Sequence, residues 1–194
     1  MNKNILLCGV GGQGIVLASK LIAQAAMENS LPVMSAETIG MAQKGGSVFS
    51  HVRIGSNLST PMIPKGGADV IIGFEPAEAV RMLPYLKKDG TVIVNSCPTK
   101  PVTAMLSASS YTGKEMLDYL KKNVERLTIV DCERAASEIG SLKVVNMILL
   151  GAAAATGELP ISMADIKTCL AKRLKPQLLE MNYKALEYTL NVKG

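Results

Sequence analysis

Apolar residues follow three rhythms along this chain. Ile5 to Val10, Asp69 to Phe74 and Thr91 to Asn95 are short, nearly continuous apolar runs closed by turn residues. Runs of that length suit strands covered on both faces of a parallel sheet. From Gly14 to Glu28 the period becomes helical: Ile15, Leu17, Ala18, Leu21, Ile22, Ala25 and Ala26 recur three and four apart, and Asn29-Ser30 before Pro32 stops them. Ser47 to Ile54 alternates, with Val48, Val52 and Ile54 on one face and Phe49, His51 and Arg53 on the other, which predicts a half-exposed strand.

Weaker signals fill the gaps. Val33 to Ala36 predicts a short second strand and Leu127 to Asp131 the last one, and Gly113 to Asn123 reads as a helix. Pro76 opens a helix to Leu86 with proline in the first turn, where its missing N–H does no harm. Asp89-Gly90 predicts a turn into the strand at Thr91. The stretches 37–46 and 96–110 lack a period and read as loops. From Cys132 onward the chain is almost wholly helical; Leu142 to Thr156 is apolar on every side, as a buried helix is, and two amphipathic helices follow, broken at Leu159-Pro160 and Lys175-Pro176.

Strands alternating with helices predict one three-layer α/β/α domain over residues 1–194. Its sheet is mixed but largely parallel, its first unit Rossmann-like and its C-terminal third helical. The composition, 48% apolar and 19% charged over 194 residues, is that of a soluble globular protein with one substantial core. The formal charge of +5 comes from dispersed Lys and Arg, and with two Phe and no Trp there is little for bases to stack on. The expectation is therefore a solvated surface and no nucleic-acid partner. Cys8, Cys97, Cys132 and Cys169 are far apart and His51 is the only histidine, so neither a zinc site nor an iron–sulfur cluster has its usual ligands. Unpatterned cysteines of this kind predict reduced thiols in the cytoplasm. The Val144 to Ala155 run is shorter than the roughly 20 residues a bilayer requires, so no membrane span is expected.

Candidate chemistry lies in the glycines. Gly9-x-Gly11-x-x-Gly14 follows a strand and opens a helix, and Glu37 ends the second strand where a ribose-binding acid stands in a dinucleotide-binding unit. Glycines let backbone approach a pyrophosphate, and a helix N-terminus offers free N–H groups. The competing reading is a tight turn whose glycines only let the helix pack. Two features point away from a nicotinamide or flavin. A second glycine segment, Gln43-Lys44-Gly45-Gly46, follows the second strand, and after it comes another strand rather than a crossover helix. No Walker lysine or Ser/His/Asp arrangement accompanies the loop. Glu75 and Glu78 suit a helix start without any acid–base role. Tyr183 and Tyr188, five apart in the last helix, suggest interface packing at most.

Gly-Val-Gly-Gly-Gln-Gly at 9–14, Gly40-Met-Ala-Gln-Lys-Gly-Gly-Ser47 running into Val48 to Gly55, Ala68 to Ala79 and Leu142 to Gly151 closely resemble the small subunit of the 2-oxoacid:ferredoxin oxidoreductases. That subunit is called gamma in pyruvate enzymes and beta in indolepyruvate enzymes. The likeness spans essentially the whole chain, and Met-Ala-Gln-Lys-Gly-Gly is similar to the indolepyruvate branch, where Arg commonly stands at the position of Lys44. Lysine keeps the charge without the planar fork.

The resemblance implies a cytoplasmic complex that decarboxylates an arylpyruvate on thiamine diphosphate, passes electrons through iron–sulfur clusters to ferredoxin and releases an acyl-CoA. This chain would bind no cofactor itself; thiamine diphosphate, Mg²⁺ and the clusters would belong to a large partner subunit, with CoA as cosubstrate. Gly9, Gly11, Gly12, Gln13 and Gly14 with Gln43, Lys44, Gly45 and Gly46 would form one backbone-rich surface facing the partner's active site or the CoA phosphates. Against this stands the reading in which these glutamines brace loop backbone and the glycines serve subunit packing. The rival from another class is a free-standing NAD(H)- or FAD-binding protein using Gly9, Gly11, Gly14 and Glu37. Isolated from its partner, the chain is expected to pair with itself through apolar surface of the helical third.

Overall fold

The computed structural model describes residues 2–38, 45–99 and 111–191. Six strands, β1 (Lys3–Val10), β2 (Val33–Thr38), β3 (Ser47–Ile54), β4 (Ala68–Gly73), β5 (Leu86–Asn95) and β6 (Arg126–Val130), form one sheet in the order β2-β3-β1-β4-β5-β6. β1, β4, β5 and β6 pair in parallel, while β3 is antiparallel to both β1 and β2. The largely parallel sheet expected from the apolar runs is present, and among the described strands β3 alone is reversed.

Among the described residues seven helices flank it: α1 (Ile15–Glu28), α2 (Pro76–Met82), α3 (Lys114–Asn123), α4 (Cys132–Ile139), α5 (Val145–Ala155), α6 (Met163–Arg173) and α7 (Pro176–Asn191). Side chains alternating along the strands feed two cores. Ile5, Leu7, Val70, Ile72 and Ile93 join α1 and the C-terminal helices. Leu6, Cys8, Ile71, Val92 and Val94 join α2 and α3 on the other face. Each fully buried Leu or Ile contributes about 1.5–3 kcal/mol. α5 lies between the sheet and α7, which explains its apolar circumference. A Cβ on Gly151 would stand 2.0 Å from Leu186 O, so only glycine lets α7 approach this closely.

Three sequence expectations need correction. The helix from Pro76 ends at Met82, continues as one 3₁₀ turn (Leu83–Tyr85) and gives way to β5 at Leu86. Asp89-Gly90 is therefore no turn but part of a bulge, since Ala68 pairs with Leu86 and Val70 already with Thr91. Lys87, held by Asp69 at 2.5 Å, fixes that bulge. His51 is not on a half-exposed face; it is 0% exposed. Ile63, from the turn-rich connection, closes over it and donates its N–H to His51 Nδ1 at 3.2 Å. Tyr183 and Tyr188 brace the chain internally, on Lys167 O at 3.3 Å and Glu138 Oε2 at 2.7 Å.

Candidate functional site

The connection leaving β1 places α1 on one face, and the connection leaving β4 places α2 on the other. Neighbouring strands whose connections diverge leave a crevice at their carboxyl ends, the usual ligand position in open α/β sheets. The glycine turn sits at that point. Gln13 Oε1 accepts the Val10 N–H at 2.7 Å, and its Nε2 donates to Phe74 O and Thr99 Oγ1, both at 3.1 Å. One side chain thus ties the ends of β1 and β4 to the loop after β5. Gly11 N–H donates to Gly46 O at 2.9 Å, because Val10 pairs with Ser47 across β1 and β3. Gly9, Gly11, Gly12, Gln13, Gly14, Gly45 and Gly46 accordingly share one edge; Gln43 and Lys44 lie outside the described residues.

Beside the turn opens a cleft of about 490 Å³, lined by Gly12, Gln13 and Gly14, by Asn95, Cys97 and Thr99, and by Lys143 and Asn146. α1 starts from Gly14 (φ 82°) without a side-chain cap, as α3 does from Gly113; α5 continues a 3₁₀ turn (Leu142–Val144) whose cap Ser141 accepts Lys143 N–H, and α2, α4 and α6 are capped by Glu75, Asp131 and Ser162. The uncapped N-terminus of α1 therefore faces the cleft, where free N–H groups and the helix dipole favour an anion.

Asn146, 7% exposed, lies against Gly14, so close that a Cβ there would meet Asn146 Nδ2 at 2.6 Å. Its Oδ1 accepts Met147 N–H at 3.0 Å, and its Nδ2 has no hydrogen-bond acceptor among the described residues. Lys143 adds a cation and Glu133 a carboxylate to the lining. Asn95 holds the far wall, its Oδ1 accepting Cys97 N–H at 3.1 Å and Cys132 N–H at 3.4 Å. Sequence reasoning passed over Asn146, Lys143 and Asn95. A lone polar residue inside the apolar Val144 to Ala155 run was the available signal.

Other candidates stay inert. Burial raises the pKa of Cys97, and burial also raises that of Cys132, so neither is a ready thiolate. Burial lowers the pKa of His51, whose Nδ1 is already an acceptor; the ring stays neutral, edge-on to Phe49 and Tyr85. Among the described residues no three His, Cys, Asp or Glu side chains gather as a metal site, and no helix is long and apolar enough to cross a membrane. The three most buried cysteines, Cys8, Cys132 and Cys169, sit in the cores, which does not fit an iron–sulfur cluster on this chain. Glu37 cannot act as the ribose acid of the glycine turn. β3 lies between β1 and β2, which displaces Glu37 by about two strand spacings of 4.8 Å.

A switch-point crevice edged by two joined glycine segments, with an antiparallel strand where a dinucleotide-binding unit has its second parallel one, defines an α/β domain distinct from the nicotinamide-binding class. The chain belongs to the pyruvate ferredoxin/flavodoxin oxidoreductase family, whose model matches residues 4–192. It is 38% identical to indolepyruvate oxidoreductase subunit IorB of Thermococcus kodakarensis, over 98% of this chain and 95% of that protein. It is 31% identical to the pyruvate/ketoisovalerate oxidoreductases common subunit gamma of Pyrococcus abyssi, over 91% and 89% of the two. Its fold is similar to that of the 2-oxoglutarate:ferredoxin oxidoreductase of Magnetococcus marinus (TM-score 0.71, 20% identity). There it covers 98% of this chain and 31% of that longer one.

Proposed function

We infer that this chain is the accessory small subunit of an indolepyruvate-type, ferredoxin-linked oxidoreductase. A larger partner subunit carries thiamine diphosphate, Mg²⁺ and the iron–sulfur clusters, and the complex works in the cytoplasm. The carboxyl edge of this chain's sheet faces that partner and receives the phosphates of CoA. The supporting observation is the cleft that joins the uncapped end of α1 to Lys143 and to the Nδ2 of Asn146, which has no acceptor among the described residues. Its donors suit a pyrophosphate or phosphomonoester, and CoA, when bound, would supply the thiol that accepts the acyl group. The name of the Pyrococcus relative points the same way. A subunit common to oxidoreductases of two different 2-oxo acids serves something those reactions share, rather than the acid itself.

The test is steady-state kinetics of the chain reconstituted with its large subunit. Lys143→Glu raises the KM for CoA about tenfold or more, the scale of one charge-assisted contact, and leaves the KM for the arylpyruvate unchanged. An unchanged KM for CoA would remove the phosphate role. NADH gives the isolated chain no rise in Tm; a dinucleotide site would add about 2.7 kcal/mol of stability at a hundredfold excess over its Kd.

A further inference from the structure

Behind the glycine edge, on the face away from the cleft, stand two acids that a helix dipole does not explain. Glu75 is 2% exposed and Glu78 6% exposed. As the N-cap of α2, Glu75 accepts Glu78 N–H on Oε2 at 3.0 Å, yet its Oε1 accepts the hydroxyl of Tyr111 at 2.5 Å. Glu78 Oε2 accepts the hydroxyl of Ser47 at 2.6 Å, and its Oε1 meets Arg81 at 3.0 Å. These contacts reach outward in both directions: Ser47 opens β3, and Tyr111 precedes α3. Burial, and then the hydrogen bond to Glu75, raises the pKa of Tyr111, so it remains a donor.

Two buried carboxylates three residues apart are costly unless every oxygen is satisfied. Here all four oxygens are engaged. From Ser47 the linkage continues through its neighbour Gly46, whose carbonyl takes the Gly11 N–H. From Glu75 it continues through Phe74, whose carbonyl takes Gln13 Nε2. The acids are thus bound to both segments that frame the glycine turn, while themselves touching nothing in the cleft.

We propose that Glu75 and Glu78 are positioning residues, which through Ser47 and Tyr111 set the glycine edge at the height and spacing that CoA requires. The proposal rests on the reading of that edge as the CoA-facing surface. Its chemistry is geometric: the pair neither donates to nor accepts from a ligand, and its effect appears only in how well the turn amides are aimed.

The test uses the reconstituted complex. Ser47→Ala and Tyr111→Phe each delete one hydroxyl, and each raises the KM for CoA roughly three- to tenfold, the worth of one hydrogen bond, with kcat and the KM for the 2-oxo acid unchanged. Ser47→Thr restores the value. Glu78→Ala gives no larger effect when combined with Ser47→Ala than by itself; should Glu78→Ala not fold, the two hydroxyl deletions decide. Unmoved KM values in both deletions overturn the proposal, and so do parallel losses in all three constants, which would mark a purely structural role. Lys143→Glu separates the layers. If it shifts the KM for CoA while the deletions do not, only the positioning role is lost; if it too has no effect, the CoA reading falls and the positioning proposal with it.

Discussion

At the amino ends of the strands Asp69 takes Asn4 N–H at 2.7 Å and Lys87 at 2.5 Å, Asn4 Oδ1 takes Arg53 Nε at 2.9 Å, and Glu158 binds both Lys3 and Arg126. At the carboxyl ends of the same strands, among the described residues, the polar groups at the cleft are glycine amides, the uncapped start of α1, the Nδ2 of Asn146, Lys143 and Glu133. One edge closes on itself with opposite charges. The other is braced from behind by Gln13, Asn95, Glu75 and Glu78, and among the described residues the Nδ2 of Asn146 at its front has no acceptor. Binding needs groups that are held in place but not already satisfied, so the difference supports the proposed role of the carboxyl edge and suits the amino edge to stability.

Substitution at Gly9 strains this division most. A Cβ there would stand 2.5 Å from Gln13 Oε1 and 2.7 Å from the buried Phe74 Cβ. Gly9→Ala is expected to cost about 3 kcal/mol by overpacking and to displace Gln13, so the surviving folded chain supports little turnover with its partner. Gly12→Ala sharpens the point. Nothing lies within 4 Å of its Cβ, and only its φ of 102° resists, for about 1 kcal/mol. Urea unfolding compares the two, and equal losses would mean the turn is not braced from behind. Next in size is Asp69→Ala at the amino edge, which strands Asn4 N–H and Lys87 and costs about 2 kcal/mol. Its urea midpoint falls with an unchanged slope, while kcat and both KM values of the assembled complex stay at the parent level. A KM shift would place the partner or CoA at the wrong edge.

The same division explains what the sequence could reveal. The β1–glycine–α1 unit and the buried helix α5 are local patterns, legible in Ile5 to Val10, in the spacing from Ile15 to Ala26 and in the apolar circumference of Leu142 to Thr156. The meeting of the two glycine segments does not follow from each trailing a strand, because β1 and β2 are not neighbours; Gly46 reaches Gly11 as it leads into β3, which pairs with β1. What escaped depends on distant partners. Alternation in Ser47 to Ile54 announces a strand, but not that it inserts antiparallel between β1 and β2, nor that Ile63 seals His51 beneath it. Glu75 and Glu78 resemble ordinary helix-start acids until Tyr111 and Ser47 arrive from far along the chain. The bulge at Lys87 to Gly90 has the composition of a turn, and Asp69 decides otherwise.

The smallest expected effect concerns the pH response of the amino edge. Hydrogen bonds from Lys3 and then Arg126 hold the Glu158 carboxyl below its ordinary pKa. Between the folded and unfolded pKa values the unfolded chain binds more protons, so this contribution is complete above the unfolded value of about 4.3 and is lost as pH falls through the folded one. Glu158→Gln therefore costs less than about 1 kcal/mol at neutral pH, because Arg126 is half exposed and water screens the pair. As pH falls through the lowered folded pKa of Glu158, variant and parent converge. Unfolding midpoints from pH 3 to 7 measure the difference, and added salt shrinks it at the upper end by screening. Gly12 at the carboxyl edge offers a control: nothing lies within 4 Å of a Cβ there, so Gly12→Ala runs parallel to the parent at every pH. If Gly12→Ala instead diverged from the parent in acid, an ionisable group would be in contact with Gly12 itself, and the front of the carboxyl edge would be less open than its contacts imply.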